Sequence, residues 1–426
     1  MKKKQKAKTT RPRSSKCHAA SAGSPPEPDL ERFQKILLEL LAIPGPSCEE
    51  QAVAQYITRQ LCAAGVPRSA IKTDQAHRHT PRQGQIGNLI CKLPGHGPAA
   101  IRGAARRMFS AHMDTVPLCV GVRPVVRGDL LMPAQKDKAL GGDNRSGVAI
   151  VLGTALEVVR RGLPHPPLTL LWTVQEELGL QGVKQTSLGL LGKPRMGINF
   201  DGGEYEYLTI GATGAYRMAI EVHGRASHAG MHPEDGISAI TITALAVAEL
   251  HKNGWLGLVK KGTKTGTSNV GVVQAGDATN VVTPYALVRA EARSHDAAFR
   301  KRIVAAIEKA FRGAAKSVRS RDRKSGRVEI DTRLDYESFR LADDEPAVAS
   351  CAAAVRGVGG KPVKKISSGG LDANFLSTKC APTVTLGAGQ IGPHTVAEQL
   401  DLRKFRQACR VALRLATATE DCQSWS

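Results

Sequence analysis

Apolar residues recur at helical spacing through LERFQKILLELLAI, residues 30–43, behind Asp29, a suitable N-cap. A second helical pattern, residues 49–65, stops at Gly65. Short apolar runs bounded by turn residues then follow at residues 88–93, 107–114, 168–176 and 195–201, and each predicts a buried strand. Residues 146–162, SGVAIVLGTALEVVRRG, form a helix among them. Strands alternating with helices predict an α/β unit built on a largely parallel sheet.

The pattern changes near Ala212. Residues 215–224 alternate as a strand, 236–254 read as a helix, and 268–276 and 285–296 as two more strands. A long helix with a basic outer face (296–318) and a last strand (327–339) complete the order βαββαβ, a ferredoxin-like α+β unit. Helix, strand and helix then return at residues 346–359, 382–387 and 402–418. The expected architecture is one α/β domain in two parts, 29–211 and 338–426, interrupted by an inserted α+β domain at 212–337. Residues 1–28, ending in Ser24-Pro25-Pro26-Glu27-Pro28, read as a disordered basic tail.

Composition narrows the function classes. Of 426 residues, 42% are hydrophobic and 23% charged, which excludes wholesale disorder. No apolar run is long enough to span a bilayer, and the basic N-terminus lacks the apolar core of a signal peptide, so a soluble cytoplasmic protein without membrane contact is expected. The nine cysteines are an odd number, scattered and without a C-x-x-C pair, as suits free thiols in a reducing compartment. The formal charge is +22, and residues 1–16 alone hold eight Lys/Arg and no acid. A non-catalytic, basic nucleic-acid-binding protein is therefore the other-class reading, but aromatics at 4% leave few stacking platforms and count against it.

Chemistry gathers where the apolar runs end. His112-Met113-Asp114, Glu176-Glu177 and Asp201 each follow a predicted strand, where open α/β sheets place their ligands. Asp143 lies just before a helix, in Gly141-Gly142-Asp143-Asn144-Arg145-Ser146-Gly147, and His394 in a loop after residue 387. Imidazoles with carboxylates suit zinc in an open site, and a carboxylate bridge suits two metals. Carboxylates gathered this closely are costly without cations.

The segments SAHMDTVP, GGDNRSG, TVQEELGLQG, NFDGG, ASHAGMHPEDG, ATNVVTPYALVRAEARSHD, GGLDANFL and GQIGPHT carry a resemblance. With them the chain resembles the dizinc aminoacylase/carboxypeptidase family of metallopeptidases, in its peptidase T-like branch. The resemblance implies a zinc-exopeptidase-like catalytic domain with a ferredoxin-like lid and dimerisation domain. It implies two Zn2+ per chain (Co2+ or Mn2+ as alternatives), one held by His112, Asp143 and Asp201, the other by Asp143, Glu177 and His394. Asp114 would accept a hydrogen bond from the His112 ring, and Glu176 would be general base toward a metal-activated water. N–H groups of the helix start would hold the spare lone pairs of Asp143. His228 would cross the interface of a homodimer to stabilise the oxyanion. Asn280 and Arg293 would hold the substrate backbone or carboxylate, and Gly369 and Gly370 would let backbone approach it.

The implied substrate is a short peptide losing its N-terminal residue. Relatives of the same fold act on N-acyl amino acids or C-terminal residues instead, and the metal site does not choose among these. One departure stands out: Asn144 and Arg145 follow the bridging Asp143 where relatives often have a second Asp or a Lys. His223, His232 and His295 are read as without a role, and Met108 and Met113 as core.

Overall fold

The computed structural model describes residues 27–417. All of the expected basic tail except Glu27 and Pro28 lies outside them. Glu27 is tied down by Arg410 at 2.5 Å and accepts from Arg161 through its carbonyl oxygen.

A nine-stranded sheet runs in the order Ile71–Thr73, Leu89–Leu93, Leu168–Thr173, Arg107–His112, Met196–Phe200, Thr383–Leu386, Tyr207–Ala212, Phe339–Arg340, with Val363–Ser367 also paired to Tyr207–Ala212. The four strands from Leu168–Thr173 to Thr383–Leu386 are parallel. Their neighbours on both sides join antiparallel, so the sheet is mixed and the expectation of a largely parallel one holds only at its centre. On the Tyr207–Ala212 side the cause is connection length. Only six residues separate Phe200 from Tyr207, too few for the dozen or so a parallel crossover needs.

The helix Gly142–Arg160 is buried along almost its whole length. It packs on the strand Arg107–His112 and under the helices Leu30–Leu41 and Leu402–Ala416, which explains why it is apolar on every side. Its first turn touches the sheet. A Cβ at Gly147 would lie 2.1 Å from the Phe200 carbonyl oxygen, and Asn144 Nδ2 donates to the same oxygen at 2.8 Å. That contact brings the start of this helix against the residue preceding Asp201.

A second sheet, entirely antiparallel, has the order Gly257–Lys261, Lys264–Ala275, Tyr285–Ser294, Gly214–His223, Arg327–Tyr336. The helices Ala239–Lys252 and Ala297–Ser317 cover one face and share an apolar core with it. Each helix is capped by its preceding side chain, Ser238 accepting from the Thr241 N–H and Asp296 from the Phe299 N–H. The first strand was not anticipated. It hairpins onto the second at Gly262, whose φ of +63° suits glycine, in a polar Lys-Gly-Thr-Lys run without alternation. The chain passes between the two sheets at Thr213 and again near Glu337. Asn374 Nδ2 donates to the carbonyl oxygens of both, at 3.0 and 2.7 Å.

A four-stranded sheet, also unanticipated, joins Gln390–Ile391, Gln399–Asp401, Leu130–Pro133 and Pro124–Arg127. The pairing of its first two strands closes the loop that carries His394.

Candidate metal centre

His112 ends a central strand, and Glu176 and Glu177 follow the next one, whose Thr173 is in register with His112. Asp201 follows Phe200 on the third strand. Gly141, with φ +80°, turns the chain so that Asp143 meets them from the side. The Nε2 of His112 lies 3.1 Å from Asp143 Oδ1 and 4.0 Å from Asp201 Oδ1. The Nε2 of His394 lies 3.2 Å from Asp143 Oδ2 and 2.8 Å from Glu177 Oε1. All five proposed ligands thus fall into two groups, His112–Asp143–Asp201 and Asp143–Glu177–His394, each with donor atoms within 4.8 Å of one another. Asp143 turns one oxygen to each group. Nitrogen and carboxylate donors in such sets of three, sharing a carboxylate, fit two zinc-type divalent cations.

Asp114 is completely buried and organises this ring. Its oxygens accept from the Glu176 and Glu177 N–H groups at 3.0 and 3.1 Å, and from Ser47 Oγ at 2.6 Å. The Nδ1 of His112 faces the Asp114 main-chain oxygen at 3.1 Å and its carboxylate at 3.4 Å, so one residue sets both the imidazole and the Glu176–Glu177 turn. The expected helix-start donors to Asp143 are differently used. The Gly141 and Asp143 N–H groups go to Glu398, at 2.7 and 3.0 Å.

Glu398 was missed by the sequence reading. It is buried, four residues beyond His394, and fixes the loop opposite. Glu50 was missed too. Its Oε1 accepts from the Gln175 N–H at 3.0 Å and the Cys48 N–H at 2.9 Å, pinning Gln175 at a left-handed φ of +54° just before Glu176. Arg145 is buried and reaches the Ile43 and Gly45 carbonyl oxygens, so the residue departing from the family pattern ties the helix start to the N-terminal segment.

Electrostatics follow from this crowding. Burial opposes charge on His112, but the carboxylates of Asp114 and Asp143 outweigh it and hold the imidazole well above its usual range. Hydrogen bonds to Asp143 and Glu177 push His394 up to about 10. Burial, reinforced by Asp143, raises Asp201 to about 8. Burial also lifts Glu176 far above the ordinary carboxylate range, with Asp201, Asp372 and Glu177 adding to it against the pull of His112.

The second-sheet residues take other partners. His228 and Asn280 are adjacent there, the Ala229 N–H donating to the Asn280 oxygen at 2.9 Å. The Nδ1 of His228 accepts from the Gly230 and Met231 N–H groups, which leaves the ring proton on Nε2. Arg293 is engaged by Glu291, through Nε at 2.9 Å and Nη2 at 3.0 Å. The room a side chain would need at Gly370 is filled by the Tyr336 ring, and the Gly369 N–H donates to Ser367 Oγ. His223 joins Glu221 and Glu329 in a further metal-capable group, in which Arg327 already pairs with Glu329.

Comparison with known proteins follows the same division. Residues 210–319 match the M20-type peptidase dimerisation domain, and residues 88–229 match peptidase family M28. The latter span holds His112, Asp143, Glu176, Glu177 and Asp201. A tripeptidase from Staphylococcus aureus superposes with a TM-score of 0.80 at 26% identity, covering 92% of this chain and 98% of that one. Aminopeptidase PepT from Bacillus cereus gives 0.77 at 26% identity, covering 93% and 99%. The uncharacterised protein YqjE of Bacillus subtilis is 27% identical over 90% of this chain and 97% of its own length.

Proposed function

This chain belongs to the M20 family of metallopeptidases, and from that premise we propose that it is a two-metal exopeptidase releasing the N-terminal residue of short peptides, tripeptides foremost. The observation that carries the reading is Asp143, set between two imidazole–carboxylate groups with one oxygen turned to each. The tripeptidase and aminopeptidase likenesses, over more than nine-tenths of the chain, favour the N-terminal cut over the acyl and C-terminal alternatives.

His112, Asp143, Asp201, Glu177 and His394 would hold the cations, zinc being the choice that this nitrogen and oxygen donor set favours. When bound, two such cations polarise the scissile carbonyl and bring the pKa of water near neutrality. Glu176 takes the proton of the attacking water at its carboxylate and hands it to the leaving amine. Its high proton affinity suits that shuttle, and the Asp114 carboxylate, through the Glu176 N–H, holds it in place. His228 Nε2–H donates to the oxyanion from the partner of a homodimer formed through the second-sheet unit. The seven described cysteines are unpaired, which fits a reducing, cytoplasmic compartment. Among the described residues no helix is long and apolar enough to cross a membrane.

The test is hydrolysis of a tripeptide, a dipeptide and an N-acetyl amino acid, each with and without chelator. Chelator-sensitive release of the N-terminal residue, fastest from the tripeptide, is expected. Cleavage of the acyl substrate alone would move the substrate class, and cleavage untouched by chelator would overturn the metal reading.

A further inference from the structure

Three consecutive N–H groups, those of Gln175, Glu176 and Glu177, are each taken by a carboxylate oxygen. Glu50 Oε1 accepts the first at 3.0 Å, and the two oxygens of Asp114 accept the second and third at 3.0 and 3.1 Å. Both acids are completely buried. The turn they hold also closes on itself. The Glu176 carbonyl oxygen accepts from the Gly179 and Leu180 N–H groups, both at 2.8 Å, and that of Gln175 from the Gln181 N–H at 3.0 Å. Glu176 thus sits in a run whose backbone is fixed on its N–H and its carbonyl side.

The same Glu50 oxygen also accepts from the Cys48 N–H at 2.9 Å. Cys48 and Gln175 both have left-handed backbone, with φ of +80° and +54°, a region that residues other than glycine enter at a cost. One buried oxygen therefore fixes two strained residues, one in each of two loops. A third segment packs on both. The Gln85 N–H donates to the Cys48 carbonyl oxygen at 2.9 Å, and a Cβ at Gly84 would lie 2.7 Å from Gln175 Nε2 and 3.4 Å from the Cys48 Cα. Ser47 Oγ meanwhile donates to Asp114 at 2.6 Å, so residues 47–50 support the turn through both acids. The nearby cation is Arg145. Burial pulls its guanidinium down to about 10, while Asp114, Cys119 and Glu50 pull it back up.

We propose that Glu50 is a positioning residue for the proton shuttle: by holding Gln175 in left-handed backbone it sets where the Glu176 carboxylate points. The assignment rests on the peptidase reading above and deepens it. Asp114 fixes the Glu176 and Glu177 N–H groups, but the direction in which the chain enters them is set one residue earlier, at Gln175. The strand Leu168–Thr173 before it is held in the sheet. Without the Glu50 contact, Gln175 would relax toward the common backbone regions, and Glu176 would swing with it. A misplacement of about 1 Å at a reacting group can cost about 100-fold in rate. In this account the reach of an acceptor oxygen matters, and the charge of the carboxylate does not.

The test sets reach against charge. Glu50→Gln keeps an oxygen at the same length without the charge, and Glu50→Asp keeps the charge one methylene short of the two N–H groups. On a tripeptide at saturating zinc, Glu50→Asp should lose about 30-fold in kcat with KM within about twofold of wild type. Glu50→Gln should lose only about threefold. Adding Gln175→Gly to Glu50→Asp should recover part of kcat, because glycine takes left-handed backbone unaided. Wild-type kcat in Glu50→Asp, a loss in Glu50→Gln as large as in Glu50→Asp, or no recovery with Gln175→Gly would overturn the assignment. Calorimetric zinc titration makes the same comparison without turnover. Glu177 lies in the same turn, so one ion should bind about tenfold more weakly in Glu50→Asp and nearly as in the wild type in Glu50→Gln. Equal affinities in all three would overturn the assignment. A wild type that binds zinc but cleaves no peptide would count against the peptidase reading alone, and the zinc comparison would still test Glu50.

Discussion

At the scale of single residues, the candidate centre is a set of carboxylates and imidazoles that compete for protons. His394, pushed to about 10 by Asp143 and Glu177, is charged at neutral pH, and Asp201 at about 8 is largely protonated there. A cation needs the lone pairs these protons occupy. Groups raised above the working pH must lose protons on binding, so cation affinity should fall as pH drops below about 10, where His394 takes up its proton, and more steeply below about 8, where Asp201 does so too, roughly tenfold per unit for each proton released. Calorimetry of zinc binding at pH 7.5 in buffers of different ionisation enthalpy should show release of at least one proton per chain, and no release would contradict these assignments. Residues such as His112, Glu177 and Asp201 were legible in sequence because each directly follows an apolar run. Glu398 was not. It sits in a loop without periodicity, and its partner Gly141 is 257 positions away.

At the scale of elements, the position of Asp143 depends on how closely the helix Gly142–Arg160 approaches the strand Met196–Phe200. Gly147 permits that approach, because any Cβ there would collide with the Phe200 carbonyl oxygen. Gly147→Ala should therefore cost about 2 kcal/mol in denaturant unfolding and weaken metal binding with it. A substitution neutral in both would show that the contact does not position the site. The central parallel strands were readable as near-continuous apolar runs. The sheet edges were harder to read, since strands such as Val363–Ser367 carry Lys364 and Lys365 and look like exposed loop. The antiparallel direction of Tyr207–Ala212 followed from its short connection, a fact of chain length that residue pattern does not express. The hairpin at Gly262 and the sheet around the His394 loop were hidden for a related reason. Their strands are two to five residues long, or polar on both faces.

At the scale of the whole molecule, the second sheet meets the body through Lys184–Asp335 and the Asn374 clamp on both crossing points, while His228 stays among its own neighbours. If His228 serves a partner's centre, each active site combines two chains. Mixing Glu176→Gln with His228→Ala dimers, after subunit exchange, should then restore about a quarter of wild-type activity, because half of the dimers are mixed and each of these holds one intact site. No recovery in a demonstrably exchanged mixture would return His228 to its own chain or remove it from the reaction.

The shared carboxylate is the feature on which everything else rests, and metal analysis of the purified wild-type chain beside Asp143→Asn tests it most directly. Two divalent ions per chain in the wild type, and loss of both in a variant that remains folded, are expected. One ion per wild-type chain, or a variant that keeps both, would contradict a centre bridged by Asp143.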